Sequence, residues 1–217
     1  VSQVLQTSDT GAVRRAATAL ADGEVVALPT DTVYGLAVDP ILVAGSEQVA
    51  LVAGELEVAA RALAARYWPG PLTLVVPRRP GFTVDLGGPV AAQQTVGVRR
   101  PDHPVVVALC ELLGPLAVTS ANLHGEAPAT TAAEVERAFA GSDQPGVILD
   151  GGVCDGAPST VVECRGPASR CLREGALPWA VLHGPDELSP GGRGEATGIS
   201  GVDGAGPDGG HLWDAAR

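Results

Sequence analysis

The apolar run Val25-Val26-Ala27-Leu28 passes through Pro29 straight into Thr30-Asp31-Thr32-Val33-Tyr34-Gly35-Leu36. Open α/β sheets present ligands at the carboxyl ends of such apolar strands. Three hydroxyls, a carboxylate and a glycine arriving there together therefore constrain the chain to a fold that gathers polar groups at a strand end. On the residues alone, two readings stand level. Thr32 and the neighbouring backbone amides can form one wall of a pocket, with Tyr34 packed beneath. Alternatively, Thr30 and Asp31 cap an ordinary polar turn.

Around this stretch, strand-like and helix-period segments are interspersed. Ala12–Ala21 reads as a helix stopped by Asp22-Gly23, ahead of a strand at Glu24–Leu28. Ile41-Leu42-Val43 reads as a strand, and Gln48–Tyr67 as one helix closed by Trp68-Pro69-Gly70-Pro71. Strands are expected at Leu72–Pro77, Thr95–Val98, Leu116–Thr119, Val147–Leu149, Thr160–Glu163 and near Cys171–Arg173, with helices at His103–Leu113 and Thr131–Ala140. The mixture implies an α/β fold with a twisted mixed β-sheet, flanking helices and a concave ligand pocket. Residues 1–188 form one domain in this reading, and residues 189–217 a Gly-rich polar tail in which Trp213 is the one sizeable apolar group.

Composition narrows the function classes. A 217-residue chain that is 45% hydrophobic can close a full core, and no apolar run reaches the roughly 20 residues needed to span a bilayer. No charged-then-apolar leader follows Val1, and Cys110, Cys154, Cys164 and Cys171 lack the CxxC spacing of a zinc or redox site, so reduced thiols in a cytoplasmic protein are expected. The net charge of -11 opposes broad non-specific binding to nucleic acid and favours a small ligand. All 14 basic residues are arginine, and Asn122 is the chain's one asparagine.

Other strand ends also carry polar groups. Arg99 and Arg100 close an apolar strand ahead of Pro101-Asp102-His103-Pro104. A guanidinium there is a natural reader of carboxylate or phosphate, although solvation or pairing with Asp102 is the plainer alternative. Thr119-Ser120-Ala121-Asn122 ends another strand, and Gly125 and Pro128 keep the adjoining segment in loop form; such side chains donate to phosphate oxygens or cap turns equally well. His103 is placed near a helix start and His124 in solvent. No P-loop, Rossmann glycine fingerprint, Ser-His-Asp order or metal-ligand cluster is present in the sequence.

The octet Pro29–Leu36, with Thr95-Val96-Gly97-Val98-Arg99 and Thr119-Ser120-Ala121-Asn122 coming after it in order, resembles the YrdC-like family, whose bacterial members are threonylcarbamoyl-AMP synthases. The resemblance runs from about Gly23 to about Gly175. It implies a YrdC-like catalytic domain that condenses ATP, L-threonine and bicarbonate to threonylcarbamoyl-AMP and pyrophosphate, with Mg²⁺ accompanying ATP. The product serves the tRNA threonylcarbamoyl-transferase machinery, and contact with tRNA itself is conceivable on the same grounds. By the resemblance, Thr32, Arg99, Val118 and Ser159 hold threonine, and Thr95, Ser120, Asn122, Pro128 and Arg173 hold ATP. No residue of the chain is expected to ligate a metal directly.

One junction is short. If the strands at Val25–Leu28 and Ile41–Val43 are parallel neighbours, their crossover needs a dozen or more residues, usually with a helix; residues 30–40 supply eleven without helical periodicity. At this place the family carries a helix and a mobile loop with a Lys-x-Arg motif. The expectation is a further segment here beyond the 217 residues; the alternative is true loss. A chain without lysine cannot supply that cation, so no catalytic residue is assigned. A nucleotide- or RNA-binding module without adenylation activity stands as the rival reading, and a carbamoyl-transferring relative is disfavoured by Arg99.

Overall fold

The computed structural model describes residues 2–84, 86, 94–123, 125–141, 144–154, 156–166 and 168–183, with the side chains of residues 37–39 and 183 excepted. The proposed tail, Trp213 and His124 lie outside these residues.

Two sheets carry the fold. Strands β1 (Gln3–Gln6), β7 (Val147–Asp150) and β2 (Val26–Ala27) form a small parallel sheet in the order β1-β7-β2. A six-stranded mixed sheet has the order β6-β3-β5-β4-β8-β9, built from β6 (Leu116–Ser120), β3 (Gly35–Leu42), β5 (Thr95–Arg99), β4 (Leu72–Pro77), β8 (Thr160–Glu163) and β9 (Arg170–Arg173). Within it, β3 with β5 and β4 with β8 are parallel, and the other pairs antiparallel.

Helix α1 (Ala12–Ala21) packs small alanines against α4 (Pro104–Leu113) over the edge of the small sheet, around Leu28, Val106, Leu109 and Leu149. A second core gathers Ile41, Val43, Leu72, Leu74, Val96, Val98 and Val162 under α2 (Ser46–Val52) and α3 (Val58–Tyr67). The third surrounds Tyr34, Ala121, Val135 and Ile148 beneath α5 (Ala132–Ala138), whose first turn is capped by the Thr131 hydroxyl accepting from the Glu134 amide. A short α6 (Trp179–His183) closes the described chain.

The sequence expectations need three corrections. The helix expected over Gln48–Tyr67 is broken at residues 53–57, because this backbone is drawn onto the end of β4: the Gly54 amide donates to Pro77 O at 2.8 Å and Arg79 N to Val52 O at 2.9 Å. Strand β1 and helix α6 lie outside the expected elements, being short and without clear periodicity.

The third correction is the junction. Strands β2 and β3 are not parallel neighbours; they lie in different sheets, joined by an antiparallel bridge between Leu28 and Gly35. The chain reverses through residues 29–34 and continues from Gly35 to Leu42 as one strand, with a register shift between Leu36 and Ile41. No crossover between parallel neighbours is therefore needed from β2 to β3.

Candidate active site

The reversal after β2 is held by its own hydroxyls. The Thr30 Oγ1 hydrogen goes to Val33 O at 2.8 Å, while the same oxygen accepts the Thr32 amide at 3.1 Å. Thr30 and Thr32 hydroxyl oxygens lie 3.0 Å apart. Thr30 has spent its one hydrogen, so the Thr32 hydroxyl donates to it. Tyr34 lies fully buried underneath, donating to Gly152 O at 3.0 Å and accepting from the Gly151 amide at 3.2 Å, and burial pushes its hydroxyl pKa up to about 12. Gly35 comes next, where β3 presses on β6: a side-chain carbon would meet Val118 and lie 3.1 Å from Thr119 O, so only glycine fits.

Arg99, buried at the end of β5, reaches across this turn. Its Nε donates to Gly70 O at 3.1 Å, one terminal nitrogen to Thr32 Oγ1 at 2.9 Å and the other to Asp31 Oδ1 at 2.5 Å. Pairing with Asp31, not Asp102, fixes the guanidinium. Three of its five N–H groups are engaged, leaving one on each terminal nitrogen. Thr32 Oγ1 gives its hydrogen to Thr30 and accepts one from Arg99, so its remaining capacity is as an acceptor. The turn therefore offers two cationic donors beside one acceptor, the complement of a carboxylate next to an amine.

Opposite stands Ser159, immediately before β8. Its hydroxyl lies 2.8 Å from that of Thr73 on β4, and the Arg173 guanidinium donates to Ser159 O at 2.9 Å and to its Oγ at 3.3 Å. Burial, and then repulsion by Arg99, lower the pKa of Arg173. These groups face one cavity of about 200 Å³, too small for a whole nucleotide but suited to a small polar molecule. Thr32, Arg99, Val118, Ser159, Ser120, Pro128 and Arg173 all line it.

Thr95 and Asn122 are not in that lining. Thr95 begins β5 four residues before Arg99, about 13 Å away along the strand. Asn122 spends both Nδ2 hydrogens on its own loop, at Leu123 O (2.9 Å) and Glu126 O (3.1 Å), and its Oδ1 is buried without a partner. Its free capacity is thus to accept, and donation to phosphate, as the sequence suggested, is not available in this arrangement. Arg100 turns to a different cavity, of about 550 Å³, between α2 and α3. His103 stands at the start of α4 as expected, without a side-chain capping bond, and burial lowers its pKa although Asp31 and Asp102 act in the other direction.

Four contributors escape a reading of the sequence. Thr30 and Asp31 read there only as turn caps, and their bonding to Thr32 and Arg99 is not foreseen although both stand in the same motif. The Gly70 carbonyl arrives from the bend before β4 and Thr73 through sheet pairing, and neither leaves a local signal. All four cysteines are free, with Cys171 alone partly exposed. Among the described residues there is no cluster of three metal-binding side chains and no helix long and apolar enough to cross a membrane.

The model of the Sua5/YciO/YrdC family, described as "Telomere recombination", matches residues 40–175. Threonylcarbamoyl-AMP synthase of Bacillus subtilis is 34% identical over 203 aligned positions, covering 82% of this chain and 57% of its own length. The Methylococcus capsulatus protein of the same name is 37% identical over 150 positions, covering 58% of this chain and 79% of the relative. Pyrococcus abyssi Sua5 complexed with L-threonine superposes with a TM-score of 0.71 at 33% identity, covering 82% of this chain and 58% of that one. Escherichia coli YciO shares the fold, with a TM-score of 0.70 at 20% identity. The chain thus spans little more than half of the Bacillus and Pyrococcus relatives. Moreover, 82% of 217 residues is about 178, fewer than the 203 aligned positions, so about two dozen positions of the Bacillus alignment are gaps in this chain. The family match begins at Pro40, directly after the short junction.

Proposed function

This chain belongs to the Sua5/YciO/YrdC family, and from that premise we propose that it is an L-threonylcarbamoyladenylate synthase, a nucleotidyltransferase acting on ATP, L-threonine and bicarbonate. The observation that carries the reading is the donor and acceptor order at the turn. Arg99 offers two N–H groups to a carboxylate, while Thr32 can only accept, as an amine requires. An α-amino acid satisfies both at once; a fully ionised phosphate has no hydrogen to donate to Thr32. Val118 and Ser159 complete the amino-acid end.

ATP then covers this end from the side of Ser120, Pro128 and Arg173, with Thr95 and Asn122 reached only by the outer parts of the nucleotide. Mg²⁺ accompanies the triphosphate as part of the substrate, since magnesium is commonly held by phosphates and water. Threonine's amine and bicarbonate give a carbamate with loss of water. The carbamate oxygen attacks the α-phosphorus, the bond to the β-phosphate oxygen breaks, and pyrophosphate leaves. No side-chain nucleophile is required: the protein positions the reactants and stabilises charge, with Arg99 holding the carboxylate and Arg173 facing the phosphates. The product passes to a tRNA-modifying transferase in the cytoplasm, and an extended tRNA surface on this acidic chain is not part of the reading.

A specific observation favours a second reading. About two dozen positions of the alignment with the Bacillus relative are gaps in this chain, and the chain contains no lysine, so the phosphate end has fewer cations than the resemblance implies. A module that binds threonine and nucleotide without adenylation would have this composition. Pyrophosphate release separates the two. Release that requires threonine and bicarbonate together supports the synthase, and threonine binding without release supports the module.

A further inference from the structure

The two guanidiniums of the pocket stand in different electrostatic states. Arg99 is neutralised: Asp31 Oδ1 lies 2.5 Å from it, and the two side chains are 6% and 13% exposed. Arg173 bonds to the carbonyl and hydroxyl of Ser159, both neutral, and among the described residues no carboxylate pairs with it. Asp31 itself does not line the cavity. It backs Arg99 from behind, and its second oxygen, Oδ2, is buried without a hydrogen bond. A carboxylate left half-satisfied in the interior is costly. An asparagine would supply the same Oδ1 acceptor without the charge, so the hydrogen bond alone does not account for an aspartate here.

We propose that Asp31 is a specificity-determining residue, which by neutralising Arg99 reserves that guanidinium for a singly charged carboxylate and turns phosphate away to Arg173. The inference rests on the threonine and ATP reading of the pocket. Repulsion from a fixed carboxylate scales with ligand charge, so a phosphate dianion feels it twice as strongly as an amino-acid carboxylate, which also brings its own ammonium or carbamate nitrogen toward Thr32. The need for such sorting is built into the site. Arg99 and Arg173 are close enough to repel one another, so a triphosphate or released pyrophosphate could otherwise bridge both and occupy the amino-acid end. Asp31 touches no substrate in this arrangement; it acts through Arg99.

The test is threonine binding by calorimetry in the presence of inorganic phosphate or pyrophosphate, on the full chain. In the unaltered protein, millimolar phosphate should leave threonine affinity unchanged. In Asp31→Asn, which keeps the acceptor oxygen and loses the charge, the same phosphate should compete and weaken apparent threonine affinity about tenfold or more. Asp31→Glu, which restores the charge, should again exclude phosphate even where threonine binding itself is weakened. A merely structural role cannot produce this gain of phosphate binding. Indifference of folded Asp31→Asn to phosphate overturns the inference, as does strong phosphate competition in the unaltered protein, a measurement that needs no variant to fold. Failure of the unaltered protein to bind threonine at all overturns the pocket reading beneath it, and the two failures are therefore distinct.

Discussion

The proposed amino-acid end of the pocket and its proposed phosphate end are built to different standards. At the first, Thr30, Thr32, Asp31, Gly70 and Arg99 form a connected network of hydrogen bonds centred on Arg99, with every member at least half-buried. At the second, Ser120, Pro128 and Arg173 share the cavity, whereas Thr95 and Asn122 stand outside it. In the proposed reading, recognition of a small amino acid rests on a few fixed groups at strand ends. Closure over a triphosphate would rest on a covering segment, and the tight β2–β3 reversal is not one.

The largest effect should come from Arg99→Lys. An ammonium keeps the charge but cannot reach Gly70, Thr32 and Asp31 together while presenting two donors. Threonine affinity in calorimetry should fall by about 2 to 4 kcal/mol, with ATP affinity little changed. An unaltered threonine affinity would break the distinction between the two ends, because a point charge would then suffice.

Next in size is Gly35→Ala. Its methyl group would collide with Val118 and the Thr119 carbonyl, forcing β3 from β6 at the mouth of the cavity. A loss of about 1 to 3 kcal/mol is expected in denaturant unfolding, with threonine binding weakened through Val118. Tyr34→Phe removes the buried hydroxyl that joins Gly151 and Gly152, and should cost about 1 to 2 kcal/mol without changing ligand selectivity. A selective loss of ATP binding in that variant would mean that the turn supports the phosphate end as well.

The smallest effect concerns His103. Burial lowers its pKa in the folded chain, so as pH falls the unfolded chain takes up the proton first. Its contribution to stability is present above the ordinary value of 6.5 and is lost as pH falls through the folded value. Between about pH 7.5 and about pH 5 the thermal midpoint should therefore drop further in the native chain than in His103→Gln. Equal drops would show that the imidazole is free to protonate in place.

Much of this is legible in the sequence. The octet at residues 29–36 announces a strand end rich in ligating groups, and Arg99, Ser159 and Arg173, assigned by resemblance, occupy positions that do converge on one cavity. What local sequence cannot convey is pairing. The break in the helix expected over residues 48–67 comes from backbone bonds to the end of β4, and the Gly70 and Thr73 contacts join segments far apart in the chain. The junction at residues 30–40 is short, but the crossover argument made from its length does not apply, because β2 and β3 are not neighbours in one sheet. Asn122 shows the limit of residue-type reasoning: an amide can donate or accept, and its loop has already taken both donors.

The most direct test of the central claim, that one pocket holds an amino-acid end at Arg99 and a phosphate end at Arg173, is a crossed titration. Threonine and ATP are each titrated by calorimetry into Arg99→Ala and into Arg173→Ala, both verified as folded by circular dichroism. The account expects Arg99→Ala to lose threonine and keep ATP, and Arg173→Ala to lose ATP while retaining most threonine affinity. Equal losses of both ligands in both variants would contradict it.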